Sequence, residues 1–172
     1  MLDRGMDPNA TVDECSTRPV LLAAYKGYAE IMEKLIEHKT NAVTGTRTTN
    51  FSVVERCTDE SVLHHVLKRP ASDLGGIGQD YKKCLEILLD AKNTPVDFKE
   101  EIRKVINHKD KLQNTPLHYA TQQWSQEVVR QLLEMGANIG QKNLWDEVPI
   151  SKITPVTMES FLDGFCLQGE ND

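Results

Sequence analysis

The chain has 172 residues, 39% hydrophobic and 27% charged, which is enough for one or two globular domains with a buried core. A formal charge of −6 and a pI near 5.4 argue against the electrostatic footprint that nucleic acid or an anionic lipid surface requires, so neither is an expected partner. No apolar run approaches the roughly 18 residues of a membrane span, and the first residues lack the basic and apolar regions of a secretory leader, so the segment is read as cytosolic and not inserted in a membrane.

Taken in chain order, residues 2–10, with Arg4-Gly5-Met6-Asp7-Pro8-Asn9-Ala10, read as the tail of a unit whose start lies further upstream. The first full unit, near 18–38, opens at Arg18-Pro19-Val20-Leu21-Leu22-Ala23-Ala24, turns at Gly27, and runs on through Ile31, Leu35 and Ile36 as a second amphipathic helix. Residues 41–50, rich in Thr and Asn, predict an irregular finger. A second unit, near 61–91, opens at Ser61-Val62-Leu63-His64-His65 and closes on Cys84-Leu85-Glu86-Ile87-Leu88-Leu89. An insertion around Gly75-Gly76-Ile77-Gly78 separates its helices. Those glycines mark a loop and not a phosphate cradle, because no Lys-Ser or Lys-Thr follows.

Thr94-Pro95 and the apolar spacing of Phe98, Ile102 and Val105 predict a short extra helix in the next connection. The third unit, near 115–136, is the cleanest. Thr115 suits a helix cap, Pro116 the first helical position, and Ala120 a close approach of two helices. Its second helix runs through Val128, Val129, Leu132 and Leu133 to Gly136, a natural stop. Pro149, 33 residues after Pro116, begins a degenerate last unit over 148–172 that is broken at Thr154-Pro155 and followed by one short helix near 156–165.

Thr115-Pro116-Leu117-His118-Tyr119-Ala120, repeated in weaker form at Pro19, His64 and Pro149, resembles the unit start of ankyrin repeats. The resemblance implies an all-α solenoid of stacked helix pairs with long inter-repeat loops over 1–147, closed by a capping repeat. It also implies that His64 and His118 brace neighbouring turns. Fingers and the concave side are the expected interaction surface, with Trp124, Trp145 and Phe98 as candidate contacts, weighed against packing between repeats.

The tail is more specific. Gly136-Ala137-Asn138-Ile139-Gly140-Gln141-Lys142-Asn143, Val148-Pro149-Ile150-Ser151-Lys152-Ile153 and Phe161-Leu162-Asp163-Gly164-Phe165-Cys166 resemble the ankyrin (TRPA) class of transient receptor potential channels, nearest its invertebrate Painless-like branch. That resemblance implies a regulatory segment of a homotetrameric plasma-membrane cation channel, monomeric when excised, in which the stack couples a stimulus or partner to the gate. It also makes Cys166 a candidate electrophile-sensing thiol. Val148 departs from the pattern, since electrophile-sensitive members carry a second cysteine there. The alternative is a soluble ankyrin scaffold that binds a protein partner.

Chemistry is otherwise sparse. Cys15, Cys57, Cys84 and Cys166 show no close-pair spacing and are expected to be reduced thiols. His38, His64, His65, His108 and His118 form no metal motif with them, so neither metal nor cofactor is expected. Cys57 and Cys84 flank His64 and His65, the one arrangement with a formal nucleophile and base. Nothing in the sequence supplies an orienting acid or an oxyanion hole, and no enzyme is expected.

Overall fold

The structure is a computed structural model that describes residues 7–40, 49–69, 80–89 and 96–152. Most of the upstream tail and of the 41–50 finger, the Gly75–Gly78 loop, Thr94-Pro95, the 156–165 segment and Cys166 lie outside the described residues. The described part is all-helical. Seven α-helices run in order as α1 (Pro19–Lys26), α2 (Ala29–Thr40), α3 (Val62–Leu67), α4 (Tyr81–Leu89), α5 (Val96–Val105), α6 (Pro116–Gln123) and α7 (Gln126–Glu134), followed by a 3-10 turn at Pro149–Lys152.

Helices pair as α1 with α2, α3 with α4, and α6 with α7, and the first members stack in a row, α1 on α3, α3 on α6, and α6 on the Pro149–Lys152 turn. None of these helices exceeds about three turns, and helices that short are marginal alone. Their stability comes from the row, which encloses Leu21, Ala24, Met32, Leu63, Leu67, Leu85, Leu88, Leu117, Ala120 and Leu132 in one continuous core. Small side chains at Ala24 and Ala120, both fully buried, let adjacent helices approach.

Two of the starts are built alike. Ser61 caps α3 and Thr115 caps α6, and the third helical residue of each, His64 or His118, turns its imidazole back to the cap. The Ser61 N–H donates to His64 Nδ1 at 3.2 Å, and the Thr115 N–H donates to His118 Nδ1 at 3.0 Å. A backbone N–H can only donate, so each Nδ1 is unprotonated and each Nε2 carries the hydrogen. Those second nitrogens reach into the following unit, His64 Nε2 donating to Asn114 O at 3.0 Å and His118 Nε2 to Glu147 O at 3.1 Å. The first unit lacks this brace. Arg18 makes no cap hydrogen bond and Leu21 fills the histidine position with buried carbon.

Other links cross between units. Gly27 ends α1 in the left-handed region at φ 68°, its carbonyl accepts from Asp80 N at 2.7 Å, and Tyr81 OH donates to Tyr25 O at 3.1 Å. The turn of the first pair thus seats the start of α4. Trp124 sits at the end of α6 and donates its indole N–H to Leu67 O at the end of α3, 3.0 Å away. The extra helix expected from the Phe98 periodicity is α5. Its Phe98 and Ile102 are fully buried, and Phe98 meets Phe51 edge to face with ring centres 4.8 Å apart.

Two predictions follow from these geometries. A Cβ on Gly27 would lie 3.0 Å from the Tyr81 ring, whereas one on Gly136, also left-handed at φ 99°, would meet nothing within 4 Å. Gly27→Ala is expected to cost about 2–3 kcal/mol in urea denaturation and Gly136→Ala about 1 kcal/mol; equal losses would show that Tyr81 exerts no steric control.

The second concerns pH. Burial holds the His64 pKa down at about 4, against an ordinary 6.5, outweighing the Asn114 carbonyl and the Asp110 charge; burial also lowers that of His118. A depressed histidine binds fewer protons folded than unfolded, so its contribution is complete above pH 6.5 and is lost as pH falls toward 4. The His64 part of that loss is on the order of 3 kcal/mol over the whole window. His64→Gln, which retains an acceptor for Ser61, is expected to flatten the fall in stability between pH 7 and pH 4.5 measured by denaturant titration. A slope as steep as wild type would exclude His64 as the titrating group.

Candidate binding surface

Four hairpin fingers project beside the starts of the helix pairs. They close as Val12 N to Thr17 O (2.9 Å), Glu55 N to Glu60 O (2.8 Å), Asp110 N to Asn114 O (3.0 Å) and Asn143 N to Glu147 O (3.0 Å). In each, the residue before the last is left-handed: Ser16, Asp59, Gln113 and Asp146, with φ between 58° and 62°. None is glycine. Short polar side chains lower the cost of that conformation at three of the four. Carboxylate or amide oxygens at the finger bases hold the turns: Asp110 Oδ1 accepts from Leu112 N and Asn114 N, and Asn143 Oδ1 from Trp145 N and Glu147 N.

The fingers are joined in series. Arg56 N donates to Cys15 O, Lys111 N to Thr58 O and Leu144 N to Leu112 O, at 2.9, 3.0 and 3.1 Å. A polar network runs beneath them, in which Tyr119 OH donates to Asp110 Oδ2 at 2.6 Å and Asn143 Nδ2 donates to Asn114 Oδ1 at 3.0 Å. Burial and the Asp110 carboxylate push the Tyr119 phenol up, so it stays a donor.

This register corrects the expectation that the thiols are all reduced: Cys15 and Cys57, 42 residues apart in sequence, form a disulfide between the tips of the first and second fingers. Stacking brings their Cα atoms to 5.1 Å, which no local spacing announces. The bond also disposes of the Cys57 and histidine nucleophile, because its sulfur is committed. Cys84 is buried, with its thiol pushed up to about 12 by desolvation first and the Asp80 charge second, which disfavours the thiolate that a nucleophile needs.

The candidate contacts separate cleanly. Trp145 is 61% exposed at the fourth finger tip, beside Leu144 at 62% and across the rung from Leu112 at 43%. Trp124 is half-buried and engaged with Leu67, whereas Phe98 is wholly inside, out of reach of a partner. Phe98 belongs to the amphipathic face that α5 turns inward, the face its spacing could not assign. On α1, Leu22 and Tyr25 are also exposed, and the Tyr25 ring carries Lys26 Nζ at 5.3 Å and the Arg69 guanidinium at 4.9 Å. Sequence reasoning passed over Leu112, Leu144, Leu22 and Tyr25, because a single apolar residue in a polar loop or on a short helix has no periodicity to reveal its direction. Pro19, Pro116 and Pro149 open their helical turns as expected.

The described residues contain no helix long and apolar enough to cross a membrane. Residues 54–143 match the family described as Ankyrin repeats (3 copies). Over 158 residues the chain is 27% identical to the human protein Ankyrin repeat and IBR domain-containing protein 1, a match that covers 86% of this chain and 14% of that protein.

Proposed function

We propose that this chain, which belongs to the ankyrin-repeat family, is a protein-binding segment whose partner lies across the finger tips and is anchored on Leu112, Leu144 and Trp145. One observation carries the reading. Three large apolar side chains stand largely outside the core on adjacent fingers whose backbones are bonded to one another, so the patch is exposed yet held in place. A preorganised aromatic anchor loses little freedom on binding, and tryptophan is prominent among residues that dominate interface energy. Tyr25 on α1, with its flanking cations, is a second exposed aromatic group, and it would favour a carboxylate-bearing partner.

No catalytic role is assigned. Ankyrin repeats act generally as interaction modules, and the disulfide at Cys57 with the buried Cys84 thiol gives no support to the cysteine and histidine nucleophile that the sequence offered. The TRPA-like reading, with its channel gate, plasma-membrane parent, tetramer and Cys166 sensor, rests on the 136–166 resemblance alone. Much of that segment lies outside the described residues, and the relative found is named for an IBR domain. The chain spans 14% of that relative, so a longer parent would present the bound partner to whatever other domain it carries.

A photoreactive amino acid placed at Trp145 in cells is expected to give a covalent adduct with a discrete protein, and one placed at Ile31 on α2 is not. Leu144→Asp combined with Trp145→Ser is expected to weaken binding of that protein at least tenfold, the loss of about 1.4 kcal/mol or more from a hot-spot pair, with thermal stability unchanged. Equal adducts from both positions, or full affinity in the double variant, would move the binding surface elsewhere.

A further inference from the structure

Glu55 and Glu60 face each other across the base of the second finger, and His65 on α3 lies beneath them. One ligand atom from each of the three falls within 4.8 Å of the others. His65 is 5% exposed, and neither of its ring nitrogens makes a hydrogen bond. A buried imidazole with no hydrogen bond is uncommon, since such a polar group loses its hydration without a directional bond in return. Carboxylates lie near both nitrogens, Glu60 Oε2 at 3.3 Å from Nδ1 and Glu55 Oε2 at 4.0 Å from Nε2, and one ring nitrogen is all that an ion would take. This contrasts with the neighbouring His64, whose two nitrogens are fully engaged.

We infer that Glu55, Glu60 and His65 form a binding site for a divalent transition ion, best suited to Zn²⁺. Two ligand atoms each about 2.0 Å from a tetrahedral ion stand about 3.3 Å apart, the separation found between His65 Nδ1 and Glu60 Oε2. Imidazole selects zinc over magnesium, which prefers oxygen ligands and keeps its water. Outer hydrogen bonds hold the carboxylates as metal ligands are usually held: Glu55 Oε1 accepts from Thr17 Oγ1 at 2.9 Å, Glu55 Oε2 from Thr58 Oγ1, and Glu60 Oε1 from Lys68 Nζ. Lys68 occupies the Glu60 oxygen that does not face the ring. The remaining cation near His65, Arg69, lies over Tyr25, so the carboxylates outnumber the cation bonded to them. Three protein atoms leave at least one position of a four-coordinate ion for water. Such an ion would clip the second finger, which carries Cys57 and touches the third through Thr58, to the inner helix row.

Closely spaced cysteines and histidines are the usual sequence mark of a zinc site. Glu55, Glu60 and His65 recur every fifth residue on a hairpin and a helix, a pattern that resembles no metal signature until the chain is folded.

The test uses the full 172-residue chain, oxidised at Cys15 and Cys57, stripped with chelator and then titrated with zinc chloride in parallel with magnesium chloride. One equivalent of zinc, a higher melting temperature with zinc and none with magnesium are expected. Glu55→Gln is expected to weaken zinc binding at least tenfold, and Thr17→Val, which removes only an outer hydrogen bond, about tenfold. His65→Gln is expected to abolish binding, and the two milder variants stand should it fold poorly. Folded wild-type chain that neither binds zinc in equilibrium dialysis nor shifts in melting would overturn the site. So would equal stabilisation by magnesium, or zinc binding that survives Glu55→Gln and Thr17→Val but disappears when the free thiols are alkylated.

Discussion

Two imidazole hydrogen bonds, from His64 to the Asn114 carbonyl and from His118 to the Glu147 carbonyl, tie the starts of α3 and α6 to the base of the following finger. A helix of six or eight residues cannot stand alone, and apolar contact by itself sets no register between neighbouring pairs. The directional bond does. It needs a neutral ring with Nδ1 turned to the cap, which is why burial and capping belong to one device. The first pair, with Leu21 where the others have histidine, compensates through Gly27, Tyr81 and the disulfide, three links that join it to the second unit.

Much of this was legible because the repeat starts combine several local signals at one place. Thr115 as cap, Pro116 at the first helical position, and apolar residues spaced for one helix face all agree, and agreement across levels is what makes a segment readable. Phe98, Ile102 and Val105 announced α5 in the same way. Spacing shows that a helix has an apolar face but not what covers it, so Phe98 was open between surface and core until its ring met Phe51. The two tryptophans show the same limit from the other side: equal in type, one was drawn into a contact with Leu67 and the other left at a tip.

The fingers were the least legible part. Their left-handed residues are Ser16, Asp59, Gln113 and Asp146, none of them the glycine that usually marks such a bend. Pairing between fingers separated by a whole unit gives the Cys15 to Cys57 bond no local signature, and Glu55, Glu60 and His65 meet only because the second finger folds back over α3. Laid side by side, Asp13-Glu14-Cys15-Ser16-Thr17 and Arg56-Cys57-Thr58-Asp59-Glu60 place their cysteines one and two positions before the left-handed residue. That alignment, available only once the fingers are recognised as equivalent, is the signal that could have found the bond.

The serial bonding of the finger tips gives binding a thermodynamic reach beyond the contact area. Whatever rests across Leu112 and Leu144 grips two units whose folding depends on the units beyond them, through rungs that extend back to Cys15. Occupancy and integrity of the array then share one equilibrium: a ligand that favours the assembled row adds resistance to unfolding at its far end, and fraying at that end lowers the ligand's apparent affinity by the same factor.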